Sequence, residues 1–267
     1  MNFAAALAQA GIEPREARLL LAEASGSSEA SALAHPEREL EAAAAARFGD
    51  MTARRRGGEP MAYILGRREF YGLTLAVSPA VLIPRPETEL LVELALERRP
   101  RRVLELGTGC GVVALAIKQG LADAQVVAVD ASAAALSVAR RNAAAHALEI
   151  DFRHGAWFGP AVDEHFDLIV ANPPYVAAGD PHLAQGDLRF EPRAALVSGP
   201  DGLNAIRAIV RGAPDVLAPG GWLLLEHGFG QGETVRELLA QQGFDLVSTW
   251  PDLAGIARVS GGRIKSD

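Results

Sequence analysis

The tetrapeptide Asn172-Pro173-Pro174-Tyr175 presents polar and aromatic groups that suit a flat substrate group bearing an –NH2. It follows an apolar segment, residues 166–170, whose composition predicts a buried strand. The two prolines have a fixed φ and no N–H, so the turn is stiff and presents carbonyl oxygens instead of donors. The residue before a proline is pushed into extended geometry, which turns Asn172 toward the end of the strand. The alternative interpretation is an ordinary proline-rich turn.

A second pattern joins an apolar strand, residues 103–106, to the glycine-rich turn Gly107–Gly111. Glycines in this position let a ligand approach the backbone at the N-terminus of the helix that follows. A second apolar strand, residues 125–129, ends at Asp130, which lies roughly 20 residues beyond the turn. At that spacing a carboxylate can accept hydrogen bonds from ribose hydroxyls. The strand, turn, helix and acid together predict a nucleoside-cofactor site in a Rossmann-type unit.

The residues around the turn indicate which nucleoside cofactor it suits. The dinucleotide fingerprint requires Gly or Ala three residues after its second glycine, where Val112 stands here. From Glu105 onward the pattern instead reads Glu-x-Gly-x-Gly-x-Gly, which resembles motif I of the class I S-adenosylmethionine-dependent methyltransferases. Asn-Pro-Pro-Tyr after the fourth strand also resembles the amino-methyltransferases of that superfamily.

Further segments narrow the resemblance to the peptide chain release factor N5-glutamine methyltransferases. The match covers about residues 60–262, whereas the alanine-rich first part is similar only in general character. Small departures occur at Ala171, at Cys110 and at Ala257, and the last leaves the role of Arg258 open. The matching segments are residues 60–66, 69–72, 81–89, 190–196, 201–203, 226–228 with Gln231, and 252–255.

The resemblance implies methyl transfer from S-adenosylmethionine to the side-chain amide nitrogen of the glutamine in the Gly-Gly-Gln motif of class I release factors. S-adenosylhomocysteine would be the product. It implies that Asn172, Pro173, Pro174 and Tyr175 hold the substrate glutamine, with Asn172, Pro173 and Tyr175 as the catalytic residues. The cofactor site that it implies consists of Gly107, Thr108, Gly109, Cys110, Gly111, Asp130, Trp157 and Asn172.

The same tetrapeptide explains how an amide nitrogen could become a nucleophile. Methyl transfer from a sulfonium is an in-line displacement, so the protein must align donor and acceptor and exclude water. The amide lone pair is delocalised, and acceptors on both N–H bonds would orient the nitrogen and bind better as positive charge develops. The Asn172 side-chain oxygen and the Pro173 carbonyl are such acceptors, and Tyr175 would stack on the amide plane or form a wall of the pocket. No general base is evident.

Several other residues carry two interpretations. Trp157 follows the third strand, where adenine would lie, or it is an aromatic core residue. Glu105 could reach the methionine amino group, or it caps the turn. Arg85, Glu87 and Glu89 belong to the segment next to the active site in the family, or they are charges that favour a helix start.

The catalytic part alternates strand and helix patterns, which predicts a mostly parallel sheet covered on both faces. We therefore predict an α/β fold, a Rossmann-like class I methyltransferase sheet, with a small N-terminal helical bundle. The predicted divisions are a substrate-docking domain at 1–68, a hairpin linker at 69–84 and the methyltransferase domain at 85–267. Predicted elements are residues 102–106, 112–119, 125–130, 132–145, 149–153, 166–171, 203–217, 221–226, 232–241 and 243–248.

Composition limits the remaining possibilities. The 267 residues are 49% hydrophobic, which suffices for an α/β core and a small extra domain. A net charge of −7 argues against a nucleic-acid-binding surface, which needs clustered Lys and Arg. The arginines at 54–56, 67 and 68 form either a solvated face or a docking patch. The single cysteine, Cys110, excludes an internal disulfide. It is either a reactive thiol or, as we expect, a small side chain that fits the turn.

The sequence also leads us to expect a cytoplasmic monomer. No apolar stretch approaches the length of a membrane span, and residues 1–3 do not begin a signal peptide. His165 and His227 show no metal-ligand spacing, so we predict no metal site.

Two other functions compete with the leading one. A DNA adenine N6-methyltransferase would use the same tetrapeptide for an exocyclic amine, although it needs a flipped base and a DNA-gripping surface. A non-catalytic binding module would keep the fold only for partner recognition.

Overall fold

The structure is a computed structural model that describes residues 1–266 in two compact units. The first unit consists of Met1–Arg67 together with His182–Phe190. The second consists of Arg68–Pro181 and the chain from Glu191 onward. The short stretch after the proline-rich tetrapeptide therefore belongs to the first unit, a feature that the sequence prediction did not contain.

The first unit is helical and surrounds its own apolar core. Asn2 and Ser28 accept hydrogen bonds from backbone N–H groups in the first turns of two helices, which satisfies donors that the helices themselves leave free. Phe3, Leu20 and Phe48 are among the buried core residues. The helices are α1 (Phe3–Gln9), α2 (Pro14–Ser25), α3 (Glu29–Ala34), α4 (Ala42–Arg56) and α5 (Met61–Leu65).

Ion pairs inside the first unit involve most of its arginine run. Arg54 pairs with Glu59 and Arg55 pairs with Glu16, which joins α4 to the start of α2. The hydrogen bond from Arg54 lowers the pKa of Glu59. Much of the positive charge predicted for this face is thus balanced by carboxylates of the same unit.

The stretch His182–Phe190 is attached to the end of α4. Arg189 donates to the Gly57 carbonyl at 3.1 Å, and its guanidinium lies directly over Gly58. A Cβ at Gly58 would lie 1.8 Å from Arg189 Nη2, and the φ of Gly58 is +88°. Glycine at 58 therefore makes room for the arginine.

The second unit contains a two-stranded ribbon and a seven-stranded sheet with helices between the strands. The strands are β1 (Arg67–Phe70), β2 (Leu73–Ala76), β3 (Arg102–Leu106), β4 (Gln125–Asp130), β5 (Asp151–His154), β6 (Phe166–Ala171), β7 (Leu217–Glu226), β8 (Asp245–Pro251) and β9 (Ala257–Arg263). The helices are α6 (Glu89–Glu97), α7 (Val112–Gly120), α8 (Ala133–Ala145), α9 (Arg193–Leu196), α10 (Asn204–Gly212) and α11 (Gly232–Gln241).

The strand order of the large sheet is β5-β4-β3-β6-β7-β9-β8, and β9 alone runs antiparallel to its neighbours. The α/β class and the Rossmann-like sheet with an N-terminal helical part are confirmed. β3 lies between β4 and β6, so the carboxyl ends of these three strands meet at one edge. Ligands of such sheets bind beyond that edge.

Two elements differ from the sequence prediction. The helix predicted at 203–217 ends at Gly212, because Pro214 follows and cannot continue it. The strand β9 was missed, because Ser260-Gly261-Gly262 has the composition of a turn. A Cβ at Gly261 would lie 2.5 Å from the Leu223 carbonyl, so close strand packing explains this glycine.

Candidate active site

The glycine-rich turn after β3 owes its shape to three positive φ angles. They are +74° at Gly107, +57° at Gly109 and +87° at Gly111. A Cβ at either of the first two would meet no atom within 4 Å, whereas one at Gly111 would lie 3.3 Å from the Ala139 Cβ. Gly107 and Gly109 thus border open space, and Gly111 allows α7 and α8 to pack closely.

Asp130 at the end of β4 holds this turn in place. Its Oδ2 accepts from the Gly109 N–H at 2.8 Å, and its Oδ1 accepts from the Ser132 N–H at 2.8 Å. The side chain is half-buried and borders the cavity described below. The carboxylate is therefore oriented by the backbone while one side remains available to a ligand.

Glu105 lies under the turn and is 3% exposed. Its Oε2 accepts from the Thr108 hydroxyl and from the Ala114 N–H. Burial raises the pKa of Glu105 to about 8, against the lowering effect of these hydrogen bonds. Both interpretations of Glu105 remain compatible with this position, because the residue caps the turn and also borders the cavity.

Cys110 is buried in the turn, and burial raises the pKa of its thiol to about 12. Its carbonyl accepts from the Asn142 side chain at 2.9 Å. The same amide also exchanges two hydrogen bonds with the backbone of Ala76 in β2. Asn142, which is 2% exposed and which the sequence analysis did not select, therefore joins the turn to the ribbon.

A cavity of about 410 Å³ lies at the carboxyl ends of β3, β4 and β6. It brings together most of the residues predicted to bind the cofactor or the substrate. Pro173 is buried outside its lining, and Tyr175 also lies outside it. The predicted residues that line the cavity are Gly107, Thr108, Gly109, Cys110, Asp130, Trp157, Asn172 and Pro174.

Two further cavity residues have unusual surroundings. Trp157 has a φ of +48°, a left-handed conformation that side chains rarely adopt and that is found preferentially at functional sites. It borders the cavity and also packs against the core, so both interpretations fit its position. Arg85 pairs with Glu191, whose buried carboxylate also accepts from the Ile83 N–H at 3.0 Å.

Asn172 and Tyr175 are held by residues from distant parts of the chain. The Asn172 Nδ2 donates to the Thr88 hydroxyl at 3.2 Å, and the Tyr175 hydroxyl donates to Glu226 Oε1 at 3.3 Å. The Thr88 hydroxyl also lies near the Glu226 carboxyl and lowers its pKa. Burial raises the pKa of Glu226 to about 7 and that of Tyr175 well above its usual value.

The backbone of Tyr175 is enclosed on its other side. Its carbonyl accepts from Gln231 Nε2 at 3.0 Å, and a Cβ at Gly202 would lie 2.2 Å from this carbonyl oxygen. The Gln231 side-chain oxygen accepts from the Gly228 N–H at 2.8 Å. Gly202 and Gln231 thereby acquire local structural roles next to the tetrapeptide.

The histidines that the sequence left without a role differ in their surroundings. His227 is fully buried, its Nε2 lies 3.0 Å from the Ser260 hydroxyl, and burial lowers its pKa. His165 is exposed. Arg258 pairs with Asp252 at 3.1 Å. In residues 1–266, no cluster of three or more His, Cys, Asp or Glu side chains could hold a metal ion.

Sequence reasoning missed Thr88, Asn142 and the link between Glu226 and the tetrapeptide. Thr88 and Glu226 lie in segments that carry the family resemblance, which was the available signal. Their partners stand 84 and 51 residues away in the chain, so only folding identifies the contacts.

Comparisons with known proteins agree with this arrangement. A family model described as "Methyltransferase small domain" matches residues 86–189, and one described as "PrmC N-terminal domain" matches residues 1–66. The release factor glutamine methyltransferase of Xylella fastidiosa is 51% identical over 257 residues, 94% of each chain. That of Bordetella pertussis is 50% identical over 262 residues, 96% of this chain and 97% of the relative.

Solved structures share the fold. A methyltransferase from Pyrococcus furiosus has a TM-score of 0.58 and 20% identity, covering 82% of this chain and all of its own. A 16S ribosomal RNA guanine-N2 methyltransferase from Thermus thermophilus, in complex with AdoMet and guanosine, has a TM-score of 0.55. It is 25% identical and covers 74% of this chain and 50% of its own.

Proposed function

We propose, from the premise that this chain belongs to the family of release factor glutamine methyltransferases, that it methylates a glutamine side chain of class I release factors. The methyl group passes from S-adenosylmethionine to the amide nitrogen N5 of the glutamine in the Gly-Gly-Gln motif, and S-adenosylhomocysteine remains. The observation that carries this proposal is one cavity, bordered on one side by the glycine-rich turn and on the other by Asn172.

The cofactor half of the cavity fits S-adenosylmethionine. Gly107 and Gly109 border open space at positive φ, so a ligand can lie against the backbone there. Asp130 offers its carboxylate to ribose hydroxyls, and Trp157 offers a ring to adenine. When bound, the cofactor supplies a methyl group already activated by a sulfonium. These assignments are supported by the lining of the cavity and by the AdoMet-bound relative.

The substrate half suits a group that donates hydrogen bonds. Because the Asn172 Nδ2 donates to Thr88, its Oδ1 is the atom left to accept from the substrate amide. That hydrogen bond strengthens as the nitrogen becomes positive, so it stabilises the transition state more than the ground state. The new C–N bond forms as the C–S bond breaks, and the nitrogen then loses one proton. Pro173 and Tyr175 complete the pocket in this proposal.

The N-terminal helical unit, predicted as residues 1–68, is the part that we assign to docking the release factor. A single exposed glutamine loop offers too little surface for specific recognition of a protein. Leu33 in α3 is 61% exposed and provides a test site in this unit. Leu33→Asp should raise the KM for whole release factor and leave the KM for a Gly-Gly-Gln peptide unchanged; equal effects on both would contradict docking.

We further propose that the protein acts as a cytoplasmic monomer that holds no nucleic acid stably. A net charge of −7 supports the part of this proposal that concerns nucleic acid, because stable binding to phosphates needs clustered positive charge. None of the helices in residues 1–266 has the length and apolar character needed to cross a membrane. Light scattering in solution tests the monomer. A gel-shift experiment with duplex DNA tests the alternative function, a DNA adenine N6-methyltransferase. A retarded band at moderate salt would favour that function.

The decisive experiment measures transfer of labelled methyl from S-adenosylmethionine to purified release factor. The matched control is a factor whose Gly-Gly-Gln glutamine is replaced by alanine. Label on the unmodified factor alone supports the proposed reaction and acceptor. No label on either factor, with S-adenosylmethionine still bound, would contradict the substrate assignment and leave the cofactor site standing.

A further inference from the structure

The orientation of the Asn172 side chain matters for the proposed reaction because an amide has one accepting and one donating end. Only Oδ1 can accept a hydrogen bond from the substrate nitrogen. Asn172 borders the cavity, and its Nδ2 donates to the Thr88 hydroxyl at 3.2 Å. Its Oδ1 has no hydrogen-bond partner within residues 1–266. Thr88 thus determines which end of the amide is free.

Thr88 can accept from Asn172 reliably only if its own proton is directed elsewhere. The hydroxyl is buried, with Thr88 1% exposed, so it cannot turn to water. Its proton can be directed toward the nearby carboxyl of Glu226, whose pKa Thr88 lowers and which is also 1% exposed. An ionised carboxylate accepts and never donates. Glu226 therefore polarises Thr88 toward Asn172.

The same carboxyl also receives the Tyr175 hydroxyl, at 3.3 Å from Oε1. One buried side chain from the end of β7 is thus connected to the first and the last residue of the tetrapeptide. Its Oε2 is buried and, in the described part of the chain, has no hydrogen-bond partner. A buried carboxylate oxygen without a partner destabilises a fold, so stability does not explain this residue.

We propose that Thr88 and Glu226 are positioning residues that hold the Asn172 amide with Oδ1 facing the methyl acceptor. The inference rests on the proposed function and deepens it, because it makes the site selective for a nitrogen that carries hydrogens. A group that only accepts hydrogen bonds cannot pair with Oδ1, and one of the two Nδ2 hydrogens is already donated to Thr88.

The surroundings of Glu226 predict a pH dependence for this arrangement. Burial is the main influence on its pKa and raises it, Glu87 also raises it, and Thr88, Tyr175 and Arg258 lower it. Above pH 7 the ionised carboxylate accepts from both hydroxyls. Below that pH the protonated form carries a hydrogen that competes with the Asn172 Nδ2 for the Thr88 oxygen. The kcat should therefore rise as the pH passes through about 7.

The test compares Thr88→Val, which keeps the shape without the hydroxyl, with Thr88→Ser, which keeps the hydroxyl. Methyl transfer to release factor and calorimetric binding of S-adenosylmethionine are measured for both. Thr88→Val should lower kcat about tenfold or more and change the Kd for S-adenosylmethionine less than twofold. Thr88→Ser should recover most of the lost rate. An unchanged kcat in Thr88→Val would overturn the proposal.

Glu226→Gln provides a second test of the positioning role, which is used if Thr88→Val does not fold. This variant should have a lower kcat that no longer rises through pH 7, because the titrating group is gone. A pH profile identical to that of the unmodified enzyme would overturn the role of Glu226. Absence of methyl transfer by the unmodified enzyme would instead reject the proposed function.

A different observation concerns Phe229, whose side chain is 81% exposed although it lies in a rigid turn. Gln231 closes the turn by accepting from the Gly228 N–H at 2.8 Å and donating to the Gly228 carbonyl at 3.2 Å. The Gln231 side chain also donates to the Tyr175 carbonyl at 3.0 Å. The turn that carries the exposed ring is therefore hydrogen-bonded to the last residue of the tetrapeptide.

We infer that Phe229 contacts the protein substrate beside the methylated glutamine. Covering an exposed aromatic ring removes a large apolar surface from water, which favours binding. A partner that covers this ring must bind next to the tetrapeptide. The proposed substrate, on which this inference also rests, places its own backbone there. The contact is apolar, so it suits aliphatic or backbone groups that flank the Gly-Gly-Gln loop.

Phe229→Ala should raise the KM for whole release factor about tenfold and leave both kcat and the Kd for S-adenosylmethionine unchanged. The matched control is Leu246→Ala, a 58% exposed side chain near the amino end of β8, at the opposite edge of the sheet. An unchanged KM in Phe229→Ala, or an equal rise in both variants, would overturn the inference. Methyl transfer by Leu246→Ala keeps the proposed function testable separately.

Discussion

The two halves of the cavity are built in different ways. The half that we propose for the cofactor includes four consecutive residues, Gly107–Cys110, and one acid that binds the Gly109 N–H from 21 residues away. The substrate half depends on side chains 84 residues before Asn172 and 51 residues after Tyr175. A cofactor site built from the protein backbone can thus be local in the sequence, whereas orienting a single side-chain amide requires partners from distant segments.

Asn172→Ala should have the largest effect, and only on the chemistry of the substrate half. Removing the acceptor that stabilises developing charge lowers kcat about 100- to 1000-fold by analogy with other preorganised hydrogen bonds. Calorimetry should find the Kd for S-adenosylmethionine almost unchanged. A loss of cofactor affinity as large as the loss of rate would show that the two halves are not separate.

Gly202→Ala tests whether the substrate half also depends on backbone packing. The added methyl group would lie 2.2 Å from the Tyr175 carbonyl at a φ of +80°, so strain and overpacking together should cost about 2–4 kcal/mol of folding stability. Gly243→Ala is the control, because its φ is +90° and nothing lies within 4 Å. It should cost only about 1 kcal/mol. Equal losses in urea unfolding would argue against a role for the close contact.

Asp130→Ala should weaken the cofactor half alone. Loss of the carboxylate frees the Gly109 N–H and removes the predicted partner of the ribose, so the Kd for S-adenosylmethionine should rise at least tenfold, about 1.4 kcal/mol. At saturating cofactor the kcat should stay within a few-fold of the unmodified enzyme. An unchanged Kd by calorimetry would remove Asp130 from the binding site.

Glu226→Gln should also change how the stability of the fold depends on pH, an effect that appears only when unfolding is compared at different pH values. The pKa of Glu226 is raised to about 7, so the folded protein keeps a proton that the unfolded chain has lost above about pH 4.5. The unmodified enzyme should therefore lose stability between these two pH values, by about 3 kcal/mol. The variant should lack this loss when unfolding is compared at pH 5 and pH 8. Parallel curves would contradict a buried, titrating carboxyl.

Much of the cofactor half could be predicted because its determinants are local. Glycines at alternate positions after an apolar strand indicate a turn with positive φ, and the acid at the end of the next strand follows from the βαβ repeat. The proline-rich tetrapeptide was equally visible. The hydrogen bond from Gln231 to the Tyr175 carbonyl could not be predicted, because nothing in the two segments indicates that they pack together.

Local sequence patterns were enough to predict the α/β class, the edge of the sheet at which we place the ligand and the residue types along that edge. Periodicity and glycine positions act through the local backbone, so they can be interpreted without knowing the fold. Folding alone brings Thr88 to Asn172 and Glu226 to Tyr175, adds β9 to the sheet and joins His182–Phe190 to the first unit. Those contacts depend on which side chains become buried together, and burial is a property of the whole folded chain.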